Sequence, residues 1–352
     1  MEYLNSVDDK LNSIDESNIR SVDLLVHPEF FFGNVNFTPN MVDFCKFPVE
    51  VQEKMTQYDE FAYKEMQNLN SASCGVRLRF ETSSKRVIFK IQLKRKWGYL
   101  KMVNWNSMGF DVYALDDDKY IHKTIFAPED GKNIFAEEIV ISGSSKRCIF
   151  LPNYNTIEKF YIGIEEGSSL KPYNYPDENR LPIIFYGNSV TQGAAASRSG
   201  NAFPNVVSKK LNRDIINISC SSCCRGDEEM AELIGKINCK AIVIDYTRNA
   251  YYLGIFERTH EKFYNIVRKY HPDKKIILMT SACFNHWSDY PEFDEVVLKT
   301  YQNAVNRGEN VSLINQTELF DKSEYSQMAI DFSHYTDYGM FKIADEICKL
   351  ID

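Results

Sequence analysis

The sequence predicts two folded parts: an N-terminal β-sandwich over residues 1–172, and an α/β part over 173–352 whose parallel sheet carries helices on both faces. Three observations lead there. Continuous apolar runs at 182–186 (PIIFY), 241–246 (AIVIDY) and 275–280 (KIILMT) have the composition of strands buried on both sides. Segments of helical length separate these runs in regular alternation. Before residue 166 the runs are short, mix apolar with charged side chains, and are punctuated by turns.

Taken in order, residues 1–70 are mixed, with a short helix starting at 49–54 and the rest unassigned. Strands follow at 75–81 (GVRLRFE), 87–93 (VIFKIQL), 109–115 (GFDVYAL), 138–141 and 160–164. In VRLRF and FKIQL one face is apolar and the other charged, the pattern of half-buried antiparallel strands. Polar and glycine-containing stretches at 83–85, 116–119 and 143–146 supply turns. Trp97, Tyr99 and Trp105 could hold a glycan, but large rings are mostly buried, so packing is the expectation. Residues 168–180 (SSLKPYNYPDENR), with two prolines, read as a linker. Beyond it strands at 182–186, 214–218, 241–246, 275–280 and 311–315 alternate with helices at 202–211, 227–237, 256–270, 293–306 and 338–351.

The composition is that of a folded chain: 352 residues, 44% hydrophobic and 26% charged. The net charge of −8 offers no general attraction to phosphate backbones or anionic lipid, so neither nucleic acid nor membrane is an expected partner. Residues 1–20 are polar and acidic, without the charged start and apolar core of a secretory signal. Nine scattered cysteines, an odd number, suit reduced thiols in the cytoplasm. Cys220, Cys223 and Cys224 contain one CxxC spacing, yet no second pair or nearby His follows. They read as small side chains in a tight loop, and no metal or organic cofactor is called for.

In a doubly wound sheet the functional groups sit in loops at the C-terminal strand ends. The first such loop, 187–193 (GNSVTQG), presents Ser189 in a tight turn between two glycines. The second, 219–226 (SCSSCCRG), is a run of small residues whose backbone amides can line a pocket. The third carries Thr247-Arg248-Asn249, and the fourth includes His286 and Trp287. Asp331 and His334 precede the last helix, and an acid three residues before a His can fix its tautomer and orientation. Of the six histidines, His334 alone has such a partner in a strand-end loop. A hydroxyl, an amide, a loop of small residues and an Asp–His pair are what acyl transfer through a serine requires. Tyr251, Tyr252, Phe284 and Trp287 lie on neighbouring loops, as an acceptor platform or as loop packing.

Gly187-Asn188-Ser189 with Gly193, the Asn249 loop and Asp331-x-x-His334 resemble three blocks of the SGNH (GDSL) hydrolases, esterases and acyltransferases with a flavodoxin-like sheet. Residues 193–211, the Arg225-Gly226 pair and Asn153-Tyr154-Asn155 resemble the bacterial subgroup with an N-terminal, jelly-roll-like β-sandwich. The resemblance implies that Ser189 is the nucleophile, His334 the general base and Asp331 its orienting acid. It implies an oxyanion held by the N–H groups of Ser189 and Ser222 and by the Asn249 amide. Asn188, Arg248 and Trp287 are candidate substrate contacts. Three departures stand out: Asn188 where the family usually has Asp, Ser222 for Gly, and Tyr335 for Pro. Gly→Ser keeps the N–H but makes a positive φ costlier. The expected function is a serine esterase removing a small acyl group, acetyl first, from a small-molecule or glycan ester through an acyl-enzyme. The alternatives are an O-acyltransferase using the same residues and a catalytically silent glycan-binding protein. No oligomeric state is specified.

Overall fold

In a computed structural model of the chain, residues 4–35, 38, 40–55, 60–99, 102–281, 291–331 and 333–351 are described. They divide into two compact units, Met1–Cys45 with Ser71–Asp177 and Ser197–Gly200, and Lys46–Asn70 with Glu178–Ala196 and Asn201–Asp352. The main division therefore lies at 177/178 rather than 172/173, and two short segments belong to the unit opposite to the one expected. Helices Val49–Met55 and Glu60–Leu69 join the second unit, where the Ala62 carbonyl accepts from Cys223 Sγ at 3.5 Å and Lys54 pairs with Glu229. Residues 197–200 join the first. There Ser199 Oγ donates to the Gly109 and Phe150 carbonyls (3.2 and 3.1 Å) and the Gly200 N–H to Asp111 Oδ2 (3.1 Å).

The first unit is built of β1 (Ile19–Asp23), β2 (Phe31–Phe32), β3 (Arg77–Thr82), β4 (Arg86–Leu93), β5 (Phe110–Asp116), β6 (Lys119–Phe126), β7 (Ile134–Val140), β8 (Lys146–Phe150), β9 (Ile157–Glu165) and β10 (Leu170–Pro172). One sheet runs β1-β9-β4-β7; the other runs β10-β3-β8-β5-β6 with β2 on β3, and every ladder is antiparallel. Phe89, Ile91, Phe160 and Ile162 of the first sheet pack with Phe80, Phe110, Phe126 and Ile149 of the second, as a two-layer sandwich requires.

The alternation in VRLRF does not mark a solvated face. Arg77 and Arg79 are fully buried, and the Arg79 guanidinium lies 3.8 Å from the Tyr175 ring centroid. Its Nε donates to the Tyr173 carbonyl at 3.1 Å, so ring faces and a carbonyl stand in for water around the charge. Trp97 and Trp105, expected to pack, are instead 66% and 49% exposed, while Tyr99 stacks on Tyr154 at 5.2 Å.

The second unit contains β11 (Ile183–Gly187), β12 (Ile215–Asn217), β13 (Ala241–Asp245), β14 (Lys275–Met279) and β15 (Val311–Ile314), in the order β12-β11-β13-β14-β15 with all ladders parallel. Four lie within the segments predicted as strands, and β11 runs one residue past its predicted end at 186. They alternate with helices Phe203–Leu211, Glu228–Lys236, Leu253–Tyr270, Pro291–Asn306 and Asp337–Ile351. β11 and β13 are buried along their whole length, which is why they read as unbroken apolar runs. This is the doubly wound order in which the chain reverses direction beside the first strand, opening a crevice at the strand C-termini. Among the described residues no helix is long and apolar enough to cross a membrane.

Truncating Arg79 removes a large buried side chain and its ring contacts. Arg79→Ala is expected to lower unfolding free energy by about 3 kcal/mol in urea titrations of the full chain.

Candidate active site

The turn after β11 is tight for a steric reason. A Cβ on Gly187 would lie 2.2 Å from Thr191 Oγ1 and 2.7 Å from the Asp245 carbonyl oxygen. Asn188 caps the short helix Ser189–Gln192, its Oδ1 accepting the Val190 N–H at 2.7 Å, and Gly193 closes it at φ 109°. Ser189 thus heads a helical turn immediately beyond a buried strand.

The segment before the last helix is pinned by the Ile330 N–H, which donates to the His334 carbonyl at 2.9 Å, and by a bridge between Ala329 and Tyr335. It brings His334 Nε2 to 2.8 Å from Ser189 Oγ, across 145 residues of sequence. His334 Nδ1 lies 2.8 Å from Asp331 Oδ2. An ionised carboxylate only accepts, so Nδ1 carries the proton and the Nε2 lone pair faces the serine hydroxyl. Asp331 Oδ1 accepts the N–H groups of Ser333 and His334, both at 2.8 Å. Burial pushes the Asp331 carboxyl up, but these three donors outweigh it and hold it well below the usual carboxylate range. The arrangement can take a proton from Ser189 and keep the resulting imidazolium oriented.

The other two implied oxyanion donors are placed together but already have acceptors. Asn249 ends the turn Thr247–Asn249 after β13. Its Nδ2 donates to the carbonyls of Cys220 (3.2 Å) and Cys224 (3.0 Å), and its Oδ1 accepts the Ser222 N–H at 3.1 Å. Those partners fix the amide's orientation, because the opposite one would set oxygen against two carbonyls. Asn249 therefore brackets the 220–224 loop, in which Ser222 adopts φ 63°. Arg225 Nε donates to the Ser222 carbonyl (3.1 Å), and Gln192 Oε1 accepts the Ser221 N–H (2.8 Å), tying the loop to the Ser189 helix. Cys220, Cys223 and Cys224 are buried, with Cys223 and Cys224 donating to backbone carbonyls. Among the described residues no group of three or more His, Cys, Asp or Glu could hold a metal ion.

Of the candidate substrate contacts, Asn188 is fully buried, with its Nδ2 turned toward Asp245 at 3.4 Å. It is therefore closed off from a substrate. Arg248 is half-buried and its charge bears on Asp294. Trp287, with Phe284 and His286, lies outside the described residues. Tyr251 and Tyr252 are 48% and 67% exposed, and the Arg225 guanidinium sits 4.5 Å from the Tyr251 ring centroid. Sequence reasoning passed over Asp245, Thr191 and Gln316. Asp245, the last residue of β13, closes an apolar run with an acid, which was a signal to notice.

Residues 180–352 match the GDSL-like lipase/acylhydrolase family, and residues 45–170 match the N-terminus of SGNH-hydrolase-type esterases. The chain belongs to the SGNH (GDSL) hydrolases. No curated protein matches the sequence. Among solved structures, a GDSL-like lipase from Bacteroides ovatus is 20% identical, with TM-score 0.79 over 95% of this chain and 98% of that one. The salicylyl-acyltransferase SsfX3 of a tetracycline biosynthetic pathway is 16% identical, with TM-score 0.76 over 95% and 97%. A family two carbohydrate esterase from Cellvibrio japonicus is 13% identical, with TM-score 0.60 over 95% and 98%. At these identities the likeness is one of fold.

Two outcomes are expected. Ser222→Gly keeps the N–H and removes the left-handed penalty of a side chain, so it should raise stability by up to about 1 kcal/mol, read by thermal unfolding. Burial pushes the Asp245 carboxyl up to about 7, against the hydrogen bonds of Thr191, Gln316 and Asn188. A raised acid binds its proton more tightly in the folded state. Its stabilising effect is then complete below the unfolded value near 3.9 and is lost as pH climbs toward 7. Relative to Asp245→Asn, the wild type should lose stability between about pH 4 and 7 and hold a constant difference above that, in denaturant titrations across pH.

Proposed function

We propose that the protein is a serine esterase that removes a small acyl group, acetyl first among candidates, from an O-acylated carbohydrate through an acyl-enzyme. The observation that carries this reading is the line Ser189 Oγ, His334 Nε2, His334 Nδ1, Asp331 Oδ2, with both hydrogen bonds 2.8 Å long. Ser189 Oγ attacks the ester carbonyl as His334 takes its proton, and the protonated imidazole then delivers that proton to the departing alcohol. Water, deprotonated by the same nitrogen, cleaves the acyl-serine and releases the acid. The oxyanion is received by the Ser189 N–H and by the Ser222 and Asn249 donors. For Asn249 this means exchanging its longer contact, to the Cys220 carbonyl at 3.2 Å, for the oxyanion. The carbohydrate part rests on the fold shared with a family two carbohydrate esterase. The cytoplasm is the proposed compartment, on the scattered cysteines alone.

A second reading, acyl transfer to an alcohol, is favoured by the exposed Tyr251 and Tyr252 beside Asn249 and by the fold shared with an acyltransferase. An activated ester supplied with candidate sugars and alcohols separates the two, since hydrolysis gives free acid and transfer gives a new ester.

A fluorophosphonate probe should label the wild type and not Ser189→Ala. p-Nitrophenyl esters of increasing chain length should be cleaved best at acetyl. No labelling would leave a silent binding protein, and preference for long chains would move the substrate class to lipids. Asn249→Ala should lower turnover by about a hundredfold or more, the 2.7–4 kcal/mol typical of a lost oxyanion donor. It should also lower the unfolding temperature, because the 220–224 loop loses its bracket.

A further inference from the structure

Ser189 and His334 are linked beneath the surface as well as directly. Asn188, beside Ser189, donates from Nδ2 to Asp245 Oδ1 at 3.4 Å and from its backbone N–H to the Asp245 carbonyl at 2.9 Å. Gln316 Nε2 donates to the same Oδ1 at 2.9 Å and to the Thr280 carbonyl at 2.7 Å. Tyr335, beside His334, donates its hydroxyl to Gln316 Oε1 at 2.7 Å. Thr191, two residues beyond Ser189, donates to Asp245 Oδ2 at 2.7 Å. All five side chains are at least 99% buried. The amide orientations are set by outside partners, the Val190 N–H on Asn188 Oδ1 and the Thr280 carbonyl on Gln316 Nε2.

We propose that Asp245 is a positioning residue, a buried acceptor that fixes the Ser189–His334 separation through two arms, one by Asn188 and Thr191 and the other by Gln316 and Tyr335. This rests on the esterase reading only for what the separation accomplishes. The His334 side chain is 29% exposed and the Asp331 side chain 38%, so the base loop needs a reference inside the molecule. Tyr335 supplies it, fully buried, with its ring 5.6 Å from that of Phe320.

The groups facing Asp245 are Asn188 and Thr191 from the turn after β11, Gln316 from beyond β15, and Tyr335, whose phenol is pushed up by burial first and then by the Asp245 charge. Among the described residues no cation pairs with this carboxyl. Ionised, it accepts from every neighbour. Protonated, it either sets an O–H against the amide N–H groups of Asn188 and Gln316 or turns the Thr191 hydroxyl from donor to acceptor, and the arms rearrange. The separation is therefore coupled to one proton near neutral pH, in line with the value of about 7 to which burial raises the carboxyl.

The test uses Asn188→Asp and Tyr335→Phe in the full chain. Asn188→Asp sets two carboxyls against each other that must share a proton. kcat on p-nitrophenyl acetate should fall about tenfold at pH 7, with its acid limb moved up by about one pH unit and KM unchanged. Tyr335→Phe cuts only the far arm and should lower kcat roughly three- to tenfold with KM unchanged. A second readout does not depend on turnover: the downfield proton resonance of the His334 Nδ1–H should shift or broaden in both variants. Both variants keeping the wild-type kcat, pH profile and resonance, with only the unfolding temperature lowered, would reduce the network to packing and overturn the proposal. A wild type that shows the resonance but cleaves no ester would instead overturn the esterase reading, and the resonance in the variants would still decide the positioning role.

Discussion

The constraint on which the site depends is a 2.8 Å hydrogen bond between side chains 145 residues apart. No local propensity can produce it. It requires the loop after the first strand of the sheet to meet the segment before the last helix, which the parallel order β12-β11-β13-β14-β15 achieves by sending every strand C-terminus to one edge. The strands must then be buried on both faces, which fixes their composition. The turn must leave β11 without a side chain at Gly187, because Thr191 and the Asp245 backbone already fill that space. The geometry of the hydroxyl is in this sense set by the packing of the sheet beneath it.

That dependence explains which features the sequence makes legible. The three strands inside the sheet, β11, β13 and β14, are apolar runs that show in composition; the edge strands β12 and β15 follow from the alternation, and the helices between them lie within a few residues of their predicted places. Asp331 and His334 are legible because their pairing is local, three residues along one segment. The bracketing of the 220–224 loop by Asn249 is not, because it depends on backbone groups of a loop in which Ser222 takes a positive φ. The sandwich shows the opposite error. Arg79 has the spacing of a solvated residue, and the rings of Tyr173 and Tyr175, nearly a hundred residues later, together with those of Phe32 and Tyr120, make it an interior one. Residues 46–70 gave little signal because short helices carry little periodicity, and their partner contacts lie near Cys223 and Glu229.

The two carboxyls of the site are driven in opposite directions by their surroundings. Asp331 sits partly exposed among three N–H donors and stays ionised; Asp245 is sealed in the sheet edge, where burial outweighs its donors. This separation gives a physical sense to the departure at Asn188. An acid there would place a second carboxyl 3.4 Å from Asp245 in a site that supplies no cation among the described residues. An amide offers the same shape, caps the Ser189 helix through its oxygen, and donates to Asp245 through its nitrogen. Tyr335 is likewise accounted for, since its hydroxyl completes the Gln316 contact, for which a proline has no side-chain donor.

The same reasoning applies to Ser222. Replacing glycine by serine at φ 63° costs on the order of 1–2 kcal/mol in backbone strain, and such strain persists only where the surroundings over-determine it. Here they do: the Ser222 N–H is held by Asn249, its carbonyl by Arg225, and the adjacent Ser221 N–H by Gln192. A loop gripped at three successive backbone groups does not need glycine to reach this conformation. Rigidity that glycine cannot provide is useful where N–H groups must hold still while charge develops on a neighbouring oxygen. The cost is that the grip uses the Ser222 N–H itself, so in the proposed reaction the oxyanion competes with Asn249 Oδ1 for that hydrogen.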